Sequence, residues 1–167
     1  MPKANICLIG LSNQFVDQFG LDLSKKLEMY YANVAKIIEF ELFDMAKMED
    51  VCGKDYLERK ESSILKRICT YEDTVLNVEY SLLNKDINYT YIKNSCVIVY
   101  LKLSKDRYKK IQDSENLSDS VKIINWDLFD DRNFICEKKS DLIIDCGELS
   151  GKDLLDKFLE EIVKFYG

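Results

Sequence analysis

The 167-residue chain contains no histidine. That absence excludes a Ser-His-Asp triad, a Cys-His pair and any histidine-ligated zinc or haem-type centre. A single proline and six glycines leave no collagen-like, linker-like or low-complexity segment. No apolar run approaches the roughly 20 residues of a membrane span. Near the start, only Ile6 to Ile9 are continuously apolar before Gly10. That is too short for a secretory leader, so none is expected, and neither is a membrane partner. Basic residues are the minority, 24 against 30 acidic, for a net charge of −6. A nucleic-acid partner is therefore not expected, because phosphate neutralisation needs a surplus of Lys and Arg on one face. The six cysteines, at 7, 52, 69, 96, 136 and 146, make no C-x-x-C pair. A metal site has no spacing support, and the expectation is free, buried thiols in the reducing cytoplasm.

An apolar share of 47 % with 32 % charge is that of one globular domain spanning residues 1–167. Strand-like and helix-like segments alternate along it. Asn5 to Ile9 reads as a strand buried on both faces and stopped by Gly10. Ser12 and Asn13 are helix N-caps, followed by a stripe of Phe15, Phe19, Leu23 and Leu27. Ala35 to Phe40 reads as a second strand, Lys54 to Cys69 as a helix, and Thr74 to Val78 as a third strand. Ser81 to Leu83 and Tyr89 to Ile92 read as a connecting helix. Cys96 to Leu101 is the clearest strand, uncharged and rich in β-branched residues. Lys105 to Ile111 reads as a short helix, and Gln112 to Ser120, acidic and aperiodic, as a mobile loop. Asp141 to Asp145 is a last strand, and Lys152 to Tyr166 a closing amphipathic helix. The alternation predicts an α/β fold, a three-layer αβα sandwich around a central parallel sheet. Ligands of such sheets bind beyond the C-terminal ends of the strands.

The turn after the first strand is therefore the first place to seek chemistry. A phosphate-binding loop reads G-x-x-x-x-G-K-[ST]: glycines let the backbone curl round phosphate, and the lysine and hydroxyl serve phosphate and Mg²⁺. From Gly10 the chain reads Gly10-Leu11-Ser12-Asn13-Gln14-Phe15-Val16-Asp17. Phe15 stands for the second glycine, Val16 for the lysine and Asp17 for the hydroxyl.

With these segments in place, the chain resembles the shikimate kinase family of P-loop kinases over nearly its whole length. Gly20, preceded by the apolar Phe19, is similar to the close of the family pattern G-K-[ST]-[ST]-[VI]-G. Ile37 to Glu41 is similar to a strand with two acidic residues, and Gly53 to Glu61 to G-E-x-x-F-R-x-x-E. Ile98 to Leu101 is similar to V-V-[WY]-L, and Arg132 to Asp141, followed by Leu142 to Asp145, to the motif before the last strand. The resemblance implies P-loop kinase topology with the first strand central and a lid-like loop around 112–122. It also implies a hydroxyl-orienting carboxylate among Glu39 and Glu41, and an arginine, Arg132, for a substrate carboxylate. Two other readings stand beside these: solvated glutamates at a strand end, and a surface arginine in the acidic run of Asp127, Asp130 and Asp131.

Departures from the family pattern fall on the residues that carry chemistry. Val16 supplies no cation for a transferring phosphoryl group. Asp17 can bind Mg²⁺ in principle but also repels polyphosphate; one unit-charge pair at ~4 Å costs on the order of 4 kcal/mol at an effective dielectric near 20. The arginine of G-E-x-x-F-R falls on Glu58; Arg59, one place along, points about 100° away on a helix. The lid stretch from Gln112 to Ser120 holds no Lys or Arg. Two functions are expected in competition. The first is a shikimate kinase-like protein that does not catalyse phosphoryl transfer and serves as a binding or regulatory module. Its candidate anion loop is Gly10, Ser12, Asn13 and Asp17, its candidate small-molecule site Glu39, Glu41 and Arg132, and it needs no cofactor. Its partner would be another protein or a small anion. The second is an active small-molecule kinase that uses Mg-ATP through a non-standard loop, with Lys102 or Lys105 as the replacement cation. A third, a different doubly wound domain, is separated by strand order.

Overall fold

The computed structural model describes residues 5–115 and 123–167. Five parallel strands form one sheet: β1 (Asn5–Ile9), β2 (Tyr30–Asn33), β3 (Thr74–Asn77), β4 (Cys96–Lys102) and β5 (Leu142–Asp145). Their spatial order is β2-β3-β1-β4-β5, so the first strand is central. Register runs Ile6 to Val75 on one side and Cys7 to Ile98 on the other. Among the described residues the helices are α1 (Asn13–Leu27), α2 (Val34–Leu42), α3 (Met45–Cys52), α4 (Lys54–Ile68), α5 (Tyr80–Leu83), α6 (Asp86–Ser95), α7 (Lys105–Glu115), α8 (Trp126–Lys139) and α9 (Gly151–Tyr166).

Strand alternation divides the core into two layers. Cys7 and Ile9 of β1 and Cys96, Ile98 and Tyr100 of β4 face a cluster closed by Ile38 of α2, Leu65 and Ile68 of α4 and Ile92 of α6. Ile6 and Leu8, with Val97, Val99 and Leu101, face the opposite cluster, closed by Val16, Phe19 and Leu23 of α1 and Leu154, Phe158 and Ile162 of α9. Both faces of the central strands are thus covered, as their near-continuous apolar sequences require. Each fully buried Leu, Ile or Phe contributes roughly 1.5–3 kcal/mol of transfer free energy. No described helix is long and apolar enough to cross a membrane.

Two parts of the chain differ from the sequence expectation, and a third, around Trp126, carried none. Residues 35–40 are not a strand but lie within α2; the strand is the preceding Tyr30–Asn33. Asn33 ends that strand and caps the helix, its side chain accepting from the Lys36 amide. Val34 and Ile38 then face inward with helical spacing. Glu39 and Glu41 consequently sit on a helix, not at a strand mouth. The polar residues 112–115 are helical, continuing α7, while 116–122 of the expected lid-like loop lie outside the described residues. Residues around Trp126 begin α8, capped by Asn125, whose side chain accepts from the Leu128 amide.

Candidate functional site

The connection from β1 to α1 is short, residues 10–12 only. Ser12 caps the helix, its hydroxyl accepting from the Phe15 amide at 3.3 Å. Asn13, Gln14 and Phe15 are therefore already helical, where a phosphate-cradling loop would have open backbone. Val16 is 2 % exposed and packed in the α1–α9 side of the core. Its Cγ2 lies over Gly10, so that a Cβ at Gly10 would meet it at 2.6 Å. Gly10 thus serves close packing of helix on strand.

Asp17 is turned away from the mouth of β1, toward β2. It accepts from the Tyr31 hydroxyl at 2.5 Å, from Asn33 Nδ2 at 2.8 Å and from Lys36 Nζ at 3.1 Å. The Tyr31 ring in turn fits against Gly20, where a Cβ would approach Cε2 to 2.5 Å. Burial pushes the Asp17 carboxyl up, but the three hydrogen bonds and the Lys36 charge outweigh it and hold the pKa below the ordinary value of 3.8. A lowered folded-state pKa gives stability that is present above the unfolded value and lost as pH falls through the folded one. Asp17→Asn is accordingly expected to cost about 2 kcal/mol at pH 7, from the loss of charge-assisted bonds. Its deficit against the parent shrinks below pH 4, as urea unfolding at pH 7 and pH 3 will show.

Asn13 reaches across the strand ends, donating from Nδ2 to Glu79 Oε1 at 3.2 Å. Glu79, just before α5, lines a cavity of about 310 Å³ with Glu39, Glu58, Glu61 and Lys85 over an apolar floor that includes Ile38 and Leu82. Lys85 pairs with Glu58 at 3.2 Å and Glu61 at 3.8 Å. Burial raises the Glu61 carboxyl, with Lys85 opposing and Glu58 and Glu49 adding to the rise. Burial, then the Glu39 charge, raises that of Glu79. Four glutamates against one lysine make this cavity hostile to a carboxylate or phosphate ligand.

Arg132 lies elsewhere. Its guanidinium stacks on the Tyr80 ring at 4.8 Å and borders a second cavity of about 300 Å³ with Leu11, Tyr108 and Phe129. Glu41 pairs with Arg67 on α4. Glu39, Glu41 and Arg132 are thus not gathered into one cavity. Arg59, unlike Glu58, does not line the acidic cavity. It lines an adjoining outer groove with Asp55, Ser62, Ser63 and Lys66, which shares Glu58 and Lys85 with the acidic cavity. Lys85 carried no sequence signal; Glu61 falls on the closing glutamate of the G-E-x-x-F-R-x-x-E resemblance and Glu58 on its arginine.

Two other features flank the mouth of β1. Arg107 of α7 is 9 % exposed. Its guanidinium lies 4.9 Å from the Phe15 ring centroid and donates to the carbonyls of Cys146 at 3.4 Å and Gly147 at 2.8 Å. Lys102, the last residue of β4, donates to Glu137 at 2.6 Å, and Lys105, the first residue of α7, pairs with Asp130 at 3.0 Å while lying over Trp126. No group of three or more Asp, Glu or Cys residues able to hold a metal occurs among the described residues.

A family model described as shikimate kinase matches residues 18–163. No curated protein matches significantly. Among solved structures, the fold is similar to a shikimate kinase from Acinetobacter baumannii in complex with shikimate. That match has 17 % identity, covers 98 % of this chain and 94 % of that one, and has a TM-score of 0.79. Shikimate kinases from Aquifex aeolicus and Bacteroides thetaiotaomicron are also similar. The first has 17 % identity, 96 % of each chain and a TM-score of 0.72. The second has 14 % identity, 96 % of this chain and 98 % of that one, and a TM-score of 0.68. The family match begins past the whole of Gly10 to Asp17.

Proposed function

The chain belongs to the shikimate kinase family, and from that premise we propose that it is a non-catalytic member, a binding or regulatory module built on the kinase fold. The observation that carries this reading is the start of α1 at Asn13, with Val16 sealed into the core above Gly10. Helix occupies the residues that would curl round a phosphate, and the position of the lysine is part of the apolar packing.

The residues present do not fit Mg-ATP. Asp17 is committed to Tyr31, Asn33 and Lys36, and Glu79, hydrogen-bonded to Asn13 at the helix start, carries the wrong sign for a polyphosphate. The cations the active-kinase alternative invokes are engaged within the fold, Lys102 with Glu137 and Lys105 with Asp130, and the nearby Arg107 is held by the 146–147 carbonyls. The acidic cavity behind Glu79 also disfavours a carboxylate-bearing acceptor such as shikimate. These features support a role through protein contacts or through a small ligand that is not a nucleotide.

Calorimetric titration of Mg-ATP, then ADP, into the protein at low salt tests the proposal. The expected result is no saturable heat up to ~1 mM, which is weaker than about −4 kcal/mol of binding. Saturable nucleotide binding, followed by ATP consumption that depends on added shikimate, overturns it in favour of the active kinase.

A further inference from the structure

One edge of the sheet is β2, which has β3 as its single neighbouring strand among the described residues. The Tyr30 amide donates to the Asp73 carbonyl on that side at 2.8 Å. Peptide groups alternate in direction along a strand, so the Met29 carbonyl, both backbone groups of Tyr31 and the Asn33 amide point outward from the sheet. Tyr30-Tyr31-Ala32-Asn33 holds neither a charge nor a proline, the devices that blunt such an edge. The flank of the strand is apolar. A cavity of about 620 Å³ lies along it, lined by Tyr30, Ala32, Ile37 and Tyr71. A second, of about 370 Å³, continues past Ile37 to Leu21 and Phe40. Tyr30 is 76 % exposed, Phe40 87 % and Tyr71 45 %. Charge is divided between the two ends of the strand. Glu72 and Asp73 lie at its start, and neither forms an ion pair among the described residues. Lys36 lies at its end, its amide bonded to Asn33 Oδ1. The Lys36 side chain is 69 % exposed and spends one bond on Asp17.

From this edge we propose that the chain forms a two-fold homodimer in which β2 pairs antiparallel with β2 of a second copy, continuing the sheet across the axis. Antiparallel pairing makes the edge self-complementary. It sets the Glu72 and Asp73 end of one copy beside the Lys36 end of the other, twice over, so a single chain supplies both halves of each charge contact. The two Tyr31 residues exchange backbone hydrogen bonds, and each Asn33 amide meets the partner's Met29 carbonyl. The outward groups of the strand are thereby satisfied. Tyr30 and Ala32 face the α2 side, where Ala32 shares a cluster with Ile38. An axis normal to the sheet keeps α2 of both copies on that one face, so Ile37 and Phe40 meet their counterparts. The exposed parts of Tyr30, Phe40 and Tyr71 from both copies supply roughly 800 Å², at about 200 Å² for a whole aromatic side chain. The strand itself, Ile37 and Lys36 add to this, toward the about 1,200 Å² at which stable interfaces begin.

Sedimentation equilibrium of the full chain, over a concentration series reaching ~500 µM, tests the proposal. The expected result is a monomer–dimer equilibrium that Phe40→Asp weakens by more than about tenfold. A mixture of copies carrying light and heavy nitrogen is then treated with a carbodiimide. Lys36 is expected to be joined to Glu72 or Asp73 in peptides of mixed isotope, whereas links from Lys36 to Asp17 stay within one isotope. A monomer throughout the series overturns the proposal. So does a dimer that Phe40→Asp leaves unweakened, or one that gives no mixed-isotope link from Lys36 to Glu72 or Asp73. The cross-link map of the unsubstituted protein decides the matter even if Phe40→Asp fails to fold.

Discussion

Val16→Lys is expected to lower the thermal midpoint by more than about 10 °C and to leave the protein unable to bind ATP. The substitution places a lysine where the phosphate-loop pattern has one, but the surroundings here are those of a core. Val16 is buried in the cluster that holds Leu8, Phe19, Val99 and Leu101, not in an open loop. An ammonium group there is stripped of water with no carboxylate to meet it. Buried lysines have their pKa lowered by about 3–5 units, and at roughly 1.4 kcal/mol per unit that is a loss of about 4 kcal/mol or more. Crowding against Gly10, already a close approach, adds about 1–3 kcal/mol. At about 2–4 °C per kcal/mol for a chain of this size, the midpoint falls by the amount stated. Val16→Met is the control, expected to cost less than about 2 kcal/mol. If Val16→Lys folds as stably as the parent and gains nucleotide binding, the 10–16 segment is an ordinary phosphate loop after all.

Arg107→Met is expected to cost about 2–3 kcal/mol and to free the turn after β5. The substitution keeps much of the stem volume, so the loss isolates the guanidinium. Two carbonyls, of Cys146 and Gly147, then lose their charged donor, and bonds to charged groups contribute about 1.5–3 kcal/mol. The contact with the Phe15 face adds about 0.5–1 kcal/mol more. Gly147, at φ +53°, sits in a turn whose amide donates to Asp145 Oδ1 at 3.1 Å. Hydrogen exchange should therefore quicken at residues 146–149 and leave β1 unchanged. Uniform quickening across the sheet would show that Arg107 acts on the whole core instead.

How much of this was legible in the sequence depends on how each element is covered. β1, β3 and β4 are buried on both faces, so their uncharged, β-branched runs identify them directly, and α9 shows its single apolar stripe. β2 did not announce itself. It is four residues at the sheet edge, with Tyr30 exposed and only Ala32 buried, so no run marks it. The neighbouring Ile37-Ile38-Glu39-Phe40 has strand composition but lies on a helix, and Phe40 is exposed. The deciding signal was the Asn33 cap, which fixes where the helix begins. α8 was obscure for a related reason: only Phe129 and Cys136 are buried in its fourteen residues. For the site, the departure of Phe15, Val16 and Asp17 from the phosphate-loop pattern was plain from residue types. That Asp17 turns to Tyr31 was not, because the contact joins residues fourteen apart through a strand misplaced in the sequence reading.

The central place of β1 also sets the order in which the molecule can be assembled. Its two neighbours are β3 and β4, so Ile6 waits for Val75 and Cys7 for Ile98. During synthesis at about 5–20 residues per second, the apolar Ile6-Cys7-Leu8-Ile9 stretch emerges before either partner and stays unpaired for several seconds. Only when β4 has left the ribosome can the sheet close around it. A short sticky strand held open for that long is a natural target for a holding chaperone, and slow closure of long-range pairs is the step at which newly made copies are most exposed to aggregation.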